Sequence, residues 1–174
     1  MKDVEVKGSD EYQSFITFLL NDKIFAICSE HVLCLQEISK SLMINDTSGH
    51  TAKAMNYIGK IIPVIDIKSK LGLGQDLYDS NNCQILIGVK TPCIKTGAGI
   101  VADALCRVME INKCIIKPPD KKVFKCNIEF LNGGVHTEKG WMGILDIAKI
   151  LSAKDIKTKN RMKRTMKEPE PVNG

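Results

Sequence analysis

The sequence predicts an all-β protein made of two duplicated units, each a small barrel or sandwich of short strands. Three observations support this prediction. Apolar or alternating stretches of strand length recur along the chain, separated by turn-forming residues. One segment pattern, ending in Glu-Ile, occurs twice. Aromatic residues make up only 5% of the chain, so valine, isoleucine and leucine must fill most of the core.

In the first half of the chain, four stretches rich in apolar and β-branched residues are predicted to be strands. They are Ser14–Leu20, Ile24–Cys28, Cys34–Ile38 and Lys60–Ile65. Asn21-Asp22 is predicted to form a tight hairpin turn, because both residue types tolerate a positive φ. Ser29–Leu33 is predicted to form a helical turn before the third strand.

The best-defined junction in the first half begins at Gly59. This glycine permits a tight turn into Lys60–Ile65, whose apolar residues on both faces indicate burial on both sides. A proline cannot donate to a strand ladder, so Pro63 is expected at an edge or a bulge. Asp66 is predicted to cap a short helix that ends at Gly72.

The second half is predicted to contain four more strands and a terminal helix. The strands are Cys83–Val89, Gly99–Ala102, Arg107–Ile111 and Trp141–Leu145. Pro118-Pro119 is a rigid break, since each proline fixes its own φ and restricts the preceding residue. Phe130–Gly134 is predicted to be a strand end and turn, or a bulge at its two glycines. Asp146 is predicted to cap a helix that ends near Ser152.

The duplication is visible as two pairs of matching segments. Ala26–Ile38 aligns with Gly99–Ile111, and both segments end in Glu-Ile. Ile65–Ile67 matches Leu145–Ile147, with an aspartate at the centre of each. The two matches keep their order along the chain, and the second is displaced slightly further than the first. They therefore indicate a duplication with one small insertion.

The net charge of +5 is concentrated at the C-terminus. Residues 154–174 hold seven of the 25 basic residues and three of the 20 acidic ones, which leaves 18 basic and 17 acidic residues elsewhere. The basic character therefore describes the tail and not a binding face. We expect a single domain over 14–153, with subdomains at about 14–80 and 81–153 whose terminal strands can be exchanged, and a flexible basic tail over 154–174.

No motif in the sequence indicates catalysis, a cofactor or a metal. The seven cysteines are odd in number and include no Cys-x-x-Cys pair, which argues against a disulfide framework or a zinc site. His31 lies between Cys28 and Cys34, so a thiol-dependent enzyme is one alternative, although buried thiols would be inert. A nucleic-acid-binding module that uses the tail is another. The polar N-terminus and the absence of a long apolar segment favour a reducing cytoplasm.

Six short motifs follow one another in a specific order. They are Leu35–Ile38, Asn56–Gly59 running into Ile62–Ile67, Gly99–Asp103, Pro118-Pro119, Phe130–Gly133 and Ile144–Leu151. In this order and spacing, the chain resembles the CheW family of bacterial chemotaxis coupling proteins from about Ser14 to Leu151.

The resemblance implies two pseudo-symmetric five-stranded β-barrels on a shared apolar core, with short helices and a C-terminal helix. It also implies a cytoplasmic adaptor without enzymatic activity or cofactor. Such a protein couples the tips of methyl-accepting chemoreceptors to the regulatory domain of a CheA-type histidine kinase, and meets the membrane only through receptors. Nucleic acid is not an implied partner.

By the same resemblance, five residues of the first barrel contribute to partner binding. They are Leu35, Glu37, Asn56, Ile58 and Gly59. The family commonly has an arginine where Ile58 stands. An arginine could make a forked, charged contact, whereas isoleucine can only pack.

Overall fold

The computed structural model describes residues 11–37, 43–44, 54–57, 59–74, 85–91 and 94–151. These residues form eleven strands and three short α-helices. The strands are β1 Tyr12–Leu20, β2 Lys23–Cys28, β3 Val32–Glu37, β4 Met43–Ile44, β5 Ala54–Tyr57, β6 Lys60–Ile65, β7 Ile85–Thr91, β8 Ile94–Ala102, β9 Ala104–Asn112, β10 Leu131–Thr137 and β11 Gly140–Leu145. The helices are α1 Ile67–Leu71, α2 Lys121–Phe124 and α3 Ile147–Ile150. In this part of the chain, no helix is long and apolar enough to cross a membrane.

The strands form two sheets, and each sheet combines strands from both halves of the chain. The five-stranded sheet has the order β10-β11-β2-β1-β9, and the six-stranded sheet has the order β3-β7-β8-β6-β5-β4. The prediction of an all-β fold is confirmed. The terminal strands are exchanged, because the first hairpin of each repeat lies in one sheet while the rest of that repeat lies in the other.

The two sheets are related by the same alignment as the sequence repeat. Without β4, the second sheet reads β5-β6-β8-β7-β3, which matches β10-β11-β2-β1-β9 strand for strand. Each sheet contains one parallel pair, in which Ile144 lies opposite Ala26 and Val64 lies opposite Gly99. In the repeat, Val64 is the equivalent of Ile144 and Gly99 is the equivalent of Ala26. The duplication is therefore present in the register of the sheets.

A β-bulge also recurs at equivalent positions. The ladder between β1 and β9 skips Cys106, and the ladder between β3 and β7 skips Leu33. These two residues occupy the same place in the matching segments that contain them. Because bulges increase local twist, their shared position bends both edge strands at the same place.

Each sheet curls so that the chain leaving one edge strand returns to the opposite edge. Lys117 follows β9 and pairs with Gly134 of β10 through two backbone hydrogen bonds of 2.9 Å. The equivalent contact in the other sheet pairs Ile44 of β4 with Ala54 of β5. The prediction of five strands is correct for the first sheet, and β4 adds a sixth strand to the second. In the described residues, the hydrogen-bonded order of each sheet stays open, so neither sheet forms a closed barrel.

Two apolar clusters form the core. The smaller one lies within the five-stranded sheet and contains Phe15, Ala26, Ile111, Val135, Met142 and Ile144. The larger one draws on both sheets and on α1 and α3, and includes Phe18, Ile65, Ile100 and Ile147. Phe15 and Phe18 point to opposite faces of β1, so this strand is buried on both sides near its middle. A shared core explains why the short strands are so uniformly apolar.

The predicted helix caps and turn are confirmed. The Asp66 carboxylate accepts a hydrogen bond from the Ser69 N–H at 2.9 Å, and Gly72, with a φ of +69°, terminates α1 directly after Leu71. The Asp146 carboxylate accepts one from the Lys149 N–H at 3.1 Å, although α3 ends at Ile150, before Ser152. Asn21 and Asp22 both have positive φ and close the β1–β2 hairpin.

Pro63 lies within β6, and the pairing around it is one-sided. It lies opposite Ala54 of β5, while the parallel pairing of β6 with β8 begins at Val64. The strand as a whole is interior to its sheet, so the expectation of an edge strand is wrong. The register with β5 is regular through Pro63, so the strand has no bulge there either. Its missing N–H is tolerated because β8 does not pair with this residue.

The expected turn at Gly133-Gly134 is wrong, because both glycines lie inside β10. A Cβ on Gly134 would collide with the Phe124 ring, and one on Gly133 would lie 2.5 Å from Ile116 Cγ2. The expected bulge is present, since the register between β10 and β11 shifts between Leu131 and Gly133. The glycines are therefore needed for close packing and not for a turn.

A polar junction joins the two sheets at the end of β8. The Lys68 ammonium of α1 donates to Asp103 Oδ1 at 2.5 Å, and the Asn21 N–H donates to Asp103 Oδ2 at 2.8 Å. The Asn21 side chain also donates to the Leu73 carbonyl at 2.6 Å. Asp103 thus connects the β1–β2 turn of one sheet with the helix that follows β6 of the other.

Candidate protein-binding surfaces

Strand β3 is an edge strand that exposes the side chains of an apolar residue and an acid. It pairs with β7 on one side, and Leu35 lies opposite Ile87, which is fully buried. Leu35 is 41% exposed, and Glu37 is exposed two residues later on the same face. An edge strand presents unpaired backbone groups to a partner, an exposed apolar side chain on it can serve as an anchor, and a carboxylate beside it can act as a rim charge.

Strand β9 is the edge strand of the other sheet and has the same arrangement. Val108 lies opposite Ile16 of β1 and is 64% exposed, and Glu110 is exposed two residues later. Leu105 and Tyr12 add further exposed apolar area on these two strands. Sequence reasoning did not select Val108 and Glu110 as site residues.

The repeat could have identified this second surface. The alignment of its two segments places Leu35 on Val108 and Glu37 on Glu110, so both exposed pairs occupy the same positions of the repeated pattern. The bulge precedes each pair by the same distance. The fold therefore presents the same apolar and acidic pair on two separate edges.

The turn after β5 lies at the other end of the six-stranded order from β3. Asn56 belongs to β5 and lies opposite Ile61, and Ile58 lies outside the described residues. Gly59 is exposed with a φ of +71°, and no atom lies within 4 Å of a Cβ built on it. Leu35 and Glu37 thus share strand β3, whereas Asn56 belongs to β5, and three strands lie between β3 and β5 in the hydrogen-bonded order.

Most of the chain matches a known family. A family model described as the CheW-like domain covers residues 14–155. The chain belongs to the CheW-like family. Its two sheets of short strands, built on one shared core, agree with the architecture that the resemblance implied.

The relatives of this CheW-like chain are distant but cover it almost completely. A chemotaxis protein CheW from Treponema pallidum is 21% identical over 153 residues, covering 88% of this chain and 90% of the relative. A chemotaxis protein CheW from Klebsiella aerogenes is 24% identical over 155 residues, covering 87% and 89%. The crystal structure of the scaffolding protein TtCheW from Thermoanaerobacter tengcongensis matches with a TM-score of 0.66 and 21% identity, covering 82% of this chain and 90% of that one. This structural match shows a common fold.

The cysteines of this CheW-like chain do not form a nucleophilic site in the described residues. Burial raises the pKa of the Cys28 and Cys34 thiols above the ordinary value, which disfavours the thiolate. The Gln13 side chain donates to Cys28 Sγ at 3.0 Å, and no hydrogen bond there joins His31 to either thiol. No group of three potential metal ligands was found among the same residues. The basic tail lies outside them.

Proposed function

We propose that this CheW-like protein is a cytoplasmic adaptor in bacterial chemotaxis that couples the tips of chemoreceptors to the regulatory domain of a CheA-type kinase. The supporting observation is the pair of equivalent edge surfaces, Leu35 with Glu37 and Val108 with Glu110. An adaptor must hold two partners at once, and two separate surfaces on one rigid core meet that requirement. The names of the relatives, chemotaxis proteins and a scaffolding protein, agree with this role.

The proposed mechanism separates affinity from orientation. Leu35 and Val108 act as apolar anchors that become buried against a partner, and Glu37 and Glu110 act at the rim, where charge affects orientation and association rate more than affinity. We propose that the turn with Asn56, Ile58 and Gly59 adds a further contact, in which an isoleucine can pack but cannot form a charged fork. Receptor state then reaches the kinase through bound contacts, without any reaction on the adaptor.

The experiment measures binding of Leu35→Asp and Val108→Asp to a CheA regulatory domain and to a receptor tip from the same cell, by calorimetry. Each substitution should weaken binding of one partner by roughly 1–3 kcal/mol, because a charge must then be desolvated at the interface. Ala148→Asp, an exposed position on α3, is the matched control and should bind both partners like the wild type. If the unmodified protein bound neither partner, the proposed function would be wrong.

The same assay separates this function from the nucleic-acid-binding alternative. A chain truncated after residue 153 should retain full binding of both partners, since the tail plays no part in the proposed mechanism. Loss of the principal binding activity on truncation, together with binding of nucleic acid by the full chain, would favour the tail-based alternative instead.

A further inference from the structure

A groove with an aromatic lining lies on the five-stranded sheet, beside helix α2. It runs between the β1–β2 turn, α2 and the start of β11, and has a volume of about 460 Å³. Phe25 and Phe124 are buried beneath it, and Trp141 is 38% exposed in its wall. The Trp141 ring is held edge-on by Phe124 at 6.0 Å and by His136 at 5.3 Å between ring centroids. The groove thus offers a pre-positioned indole, a side chain enriched in binding hot spots.

Three lysines surround this aromatic lining. They are Lys23 of β2, Lys125 at the end of α2 and Lys139 of the β10–β11 turn. Among the lining residues that the structure describes, Asp22 is the one acid. The Lys23 ammonium donates to the Phe124 carbonyl at 3.4 Å, which holds this charge beside the groove. The near-neutral charge of residues 1–153 predicted no basic face. Folding creates one locally, because lysines that are far apart in sequence meet here.

The groove depends on the insertion that distinguishes the second repeat from the first. The paired residues Lys117 and Gly134 are separated by a longer stretch of chain than their equivalents Ile44 and Ala54. Helix α2 lies within this longer interval, and its Phe124 packs on Gly134. The groove is therefore not a second copy of a surface inherited from the duplication.

We propose that this groove binds an acidic segment of a partner protein, in which one or two apolar side chains are flanked by carboxylates. The apolar residues would pack on Trp141 while the carboxylates face Lys125 and Lys139, so that shape and charge are both complementary. A phosphate backbone is disfavoured because none of the lining residues that the structure describes is an arginine, the side chain that makes forked phosphate contacts. The proposal does not depend on the coupling role of the edge strands.

The single tryptophan of the chain makes the test direct. Trp141 fluorescence is titrated with a synthetic peptide that has a central Leu-Phe pair flanked by glutamates. We expect a saturable change of intensity and emission maximum, which weakens as salt concentration rises. The comparison probes are a peptide with serines at the centre, a peptide with lysines as flanks, and oligothymidylate. All three should bind at least about tenfold more weakly, a loss of about 1.4 kcal/mol.

Two charge-matched variants locate the site. The double variant Lys125→Glu with Lys139→Glu should weaken binding of the acidic peptide at least about tenfold. The control is Lys90→Glu with Lys113→Glu, which changes two exposed lysines outside the groove. It should weaken binding less than about twofold. Lys139→Gln alone, in an exposed turn, should cost about threefold and serves if the double variant fails to fold. The proposal would be overturned by equal losses in both double variants or by the lack of a saturable change with the acidic peptide. Equal binding of the acidic peptide and any of the three comparison probes would overturn it as well.

Discussion

At the scale of single residues, the junction around Asp103 has the largest effect on stability that we expect from one polar side chain. The Lys68 side chain is only 8% exposed and the Asp103 side chain 32% exposed, so the ion pair between them is largely shielded from water. Asp103 also accepts the Asn21 N–H, which belongs to the other sheet. Removing the carboxylate takes away the contact to a buried ammonium and leaves a backbone donor without this acceptor.

Asp103→Ala should therefore lower the free energy of unfolding by roughly 2–3 kcal/mol, below the range for a fully buried pair because Asp103 is partly exposed. Urea denaturation followed by Trp141 fluorescence measures this. Glu30→Ala is the matched control, since Glu30 occupies the equivalent position of the repeat and its side chain is 66% exposed. It should change stability by less than about 0.5 kcal/mol. Equal effects of the two substitutions would show that the junction contributes nothing specific.

The thiols differ in accessibility, which leads to a second prediction. Burial raises the pKa of Cys28, Cys34 and Cys126 above the ordinary value, while Cys106 and Cys114 are exposed. Among the five thiols that the structure describes, iodoacetamide at neutral pH should therefore modify Cys106 and Cys114 first, as read by peptide mapping. Modification of the three thiols with a raised pKa should accelerate as pH rises, because the fraction of reactive thiolate increases with pH. Fast labelling of Cys28 at neutral pH would contradict this and revive the thiol-enzyme alternative.

At the scale of secondary-structure elements, two equivalent aspartates begin two very short helices. Helices of five and four residues are too short to be stable by themselves, so caps and packing must hold them. The Asp66 and Asp146 carboxylates each accept the N–H of the third helical residue. In both repeats the aspartate follows the last strand of its unit and redirects the chain across the shared core.

Asp66→Ala and Asp146→Ala should each destabilise the protein by about 1 kcal/mol, since each leaves an N-terminal helix donor without its acceptor. Thermal unfolding by circular dichroism measures both. Asp66→Asn and Asp146→Asn should recover most of the loss, because the asparagine side chain also caps helices. If asparagine were as destabilising as alanine, the carboxylate charge and not the cap would be the cause.

At the scale of the whole molecule, the exchanged hairpins make the two halves interdependent. Residues 11–74 contribute the hairpin β1–β2 to one sheet and the strands β3 to β6 to the other. Neither half contains a complete sheet, and isolated hairpins are marginally stable in water. The larger apolar cluster also contains residues of both halves. The molecule should therefore unfold as one unit.

Fragments 11–80 and 81–153 should each be largely unfolded alone and should regain native far-ultraviolet circular dichroism when mixed. The uncut 11–153 chain is the control and should melt in one cooperative transition. A cooperative melt of either fragment alone would mean that the strand exchange is not needed for stability. The predicted division at residue 80 would then describe folding units and not only the sequence repeat.

The sequence by itself determined the all-β class, the repeat, the turn at Asn21-Asp22 and the two aspartate caps. These features depend on local chemistry: alternation of apolar residues, tolerance of positive φ, and a carboxylate placed before a helix. Turn residues alone did not separate a loop from a strand at Gly133-Gly134. The reason is non-local, because the missing side chains make room for Phe124 and Ile116.

Only the tertiary structure decided which strands pair and which charges meet. The exchange of hairpins follows from burial of one common apolar cluster by both sheets, and no local pattern specifies that partner choice. The sequence repeat already aligned Leu35 with Val108, but only the structure showed that both side chains are exposed on edge strands. The lysines around Trp141 come from three separate segments, so they create a positive electrostatic potential together only once the chain has folded.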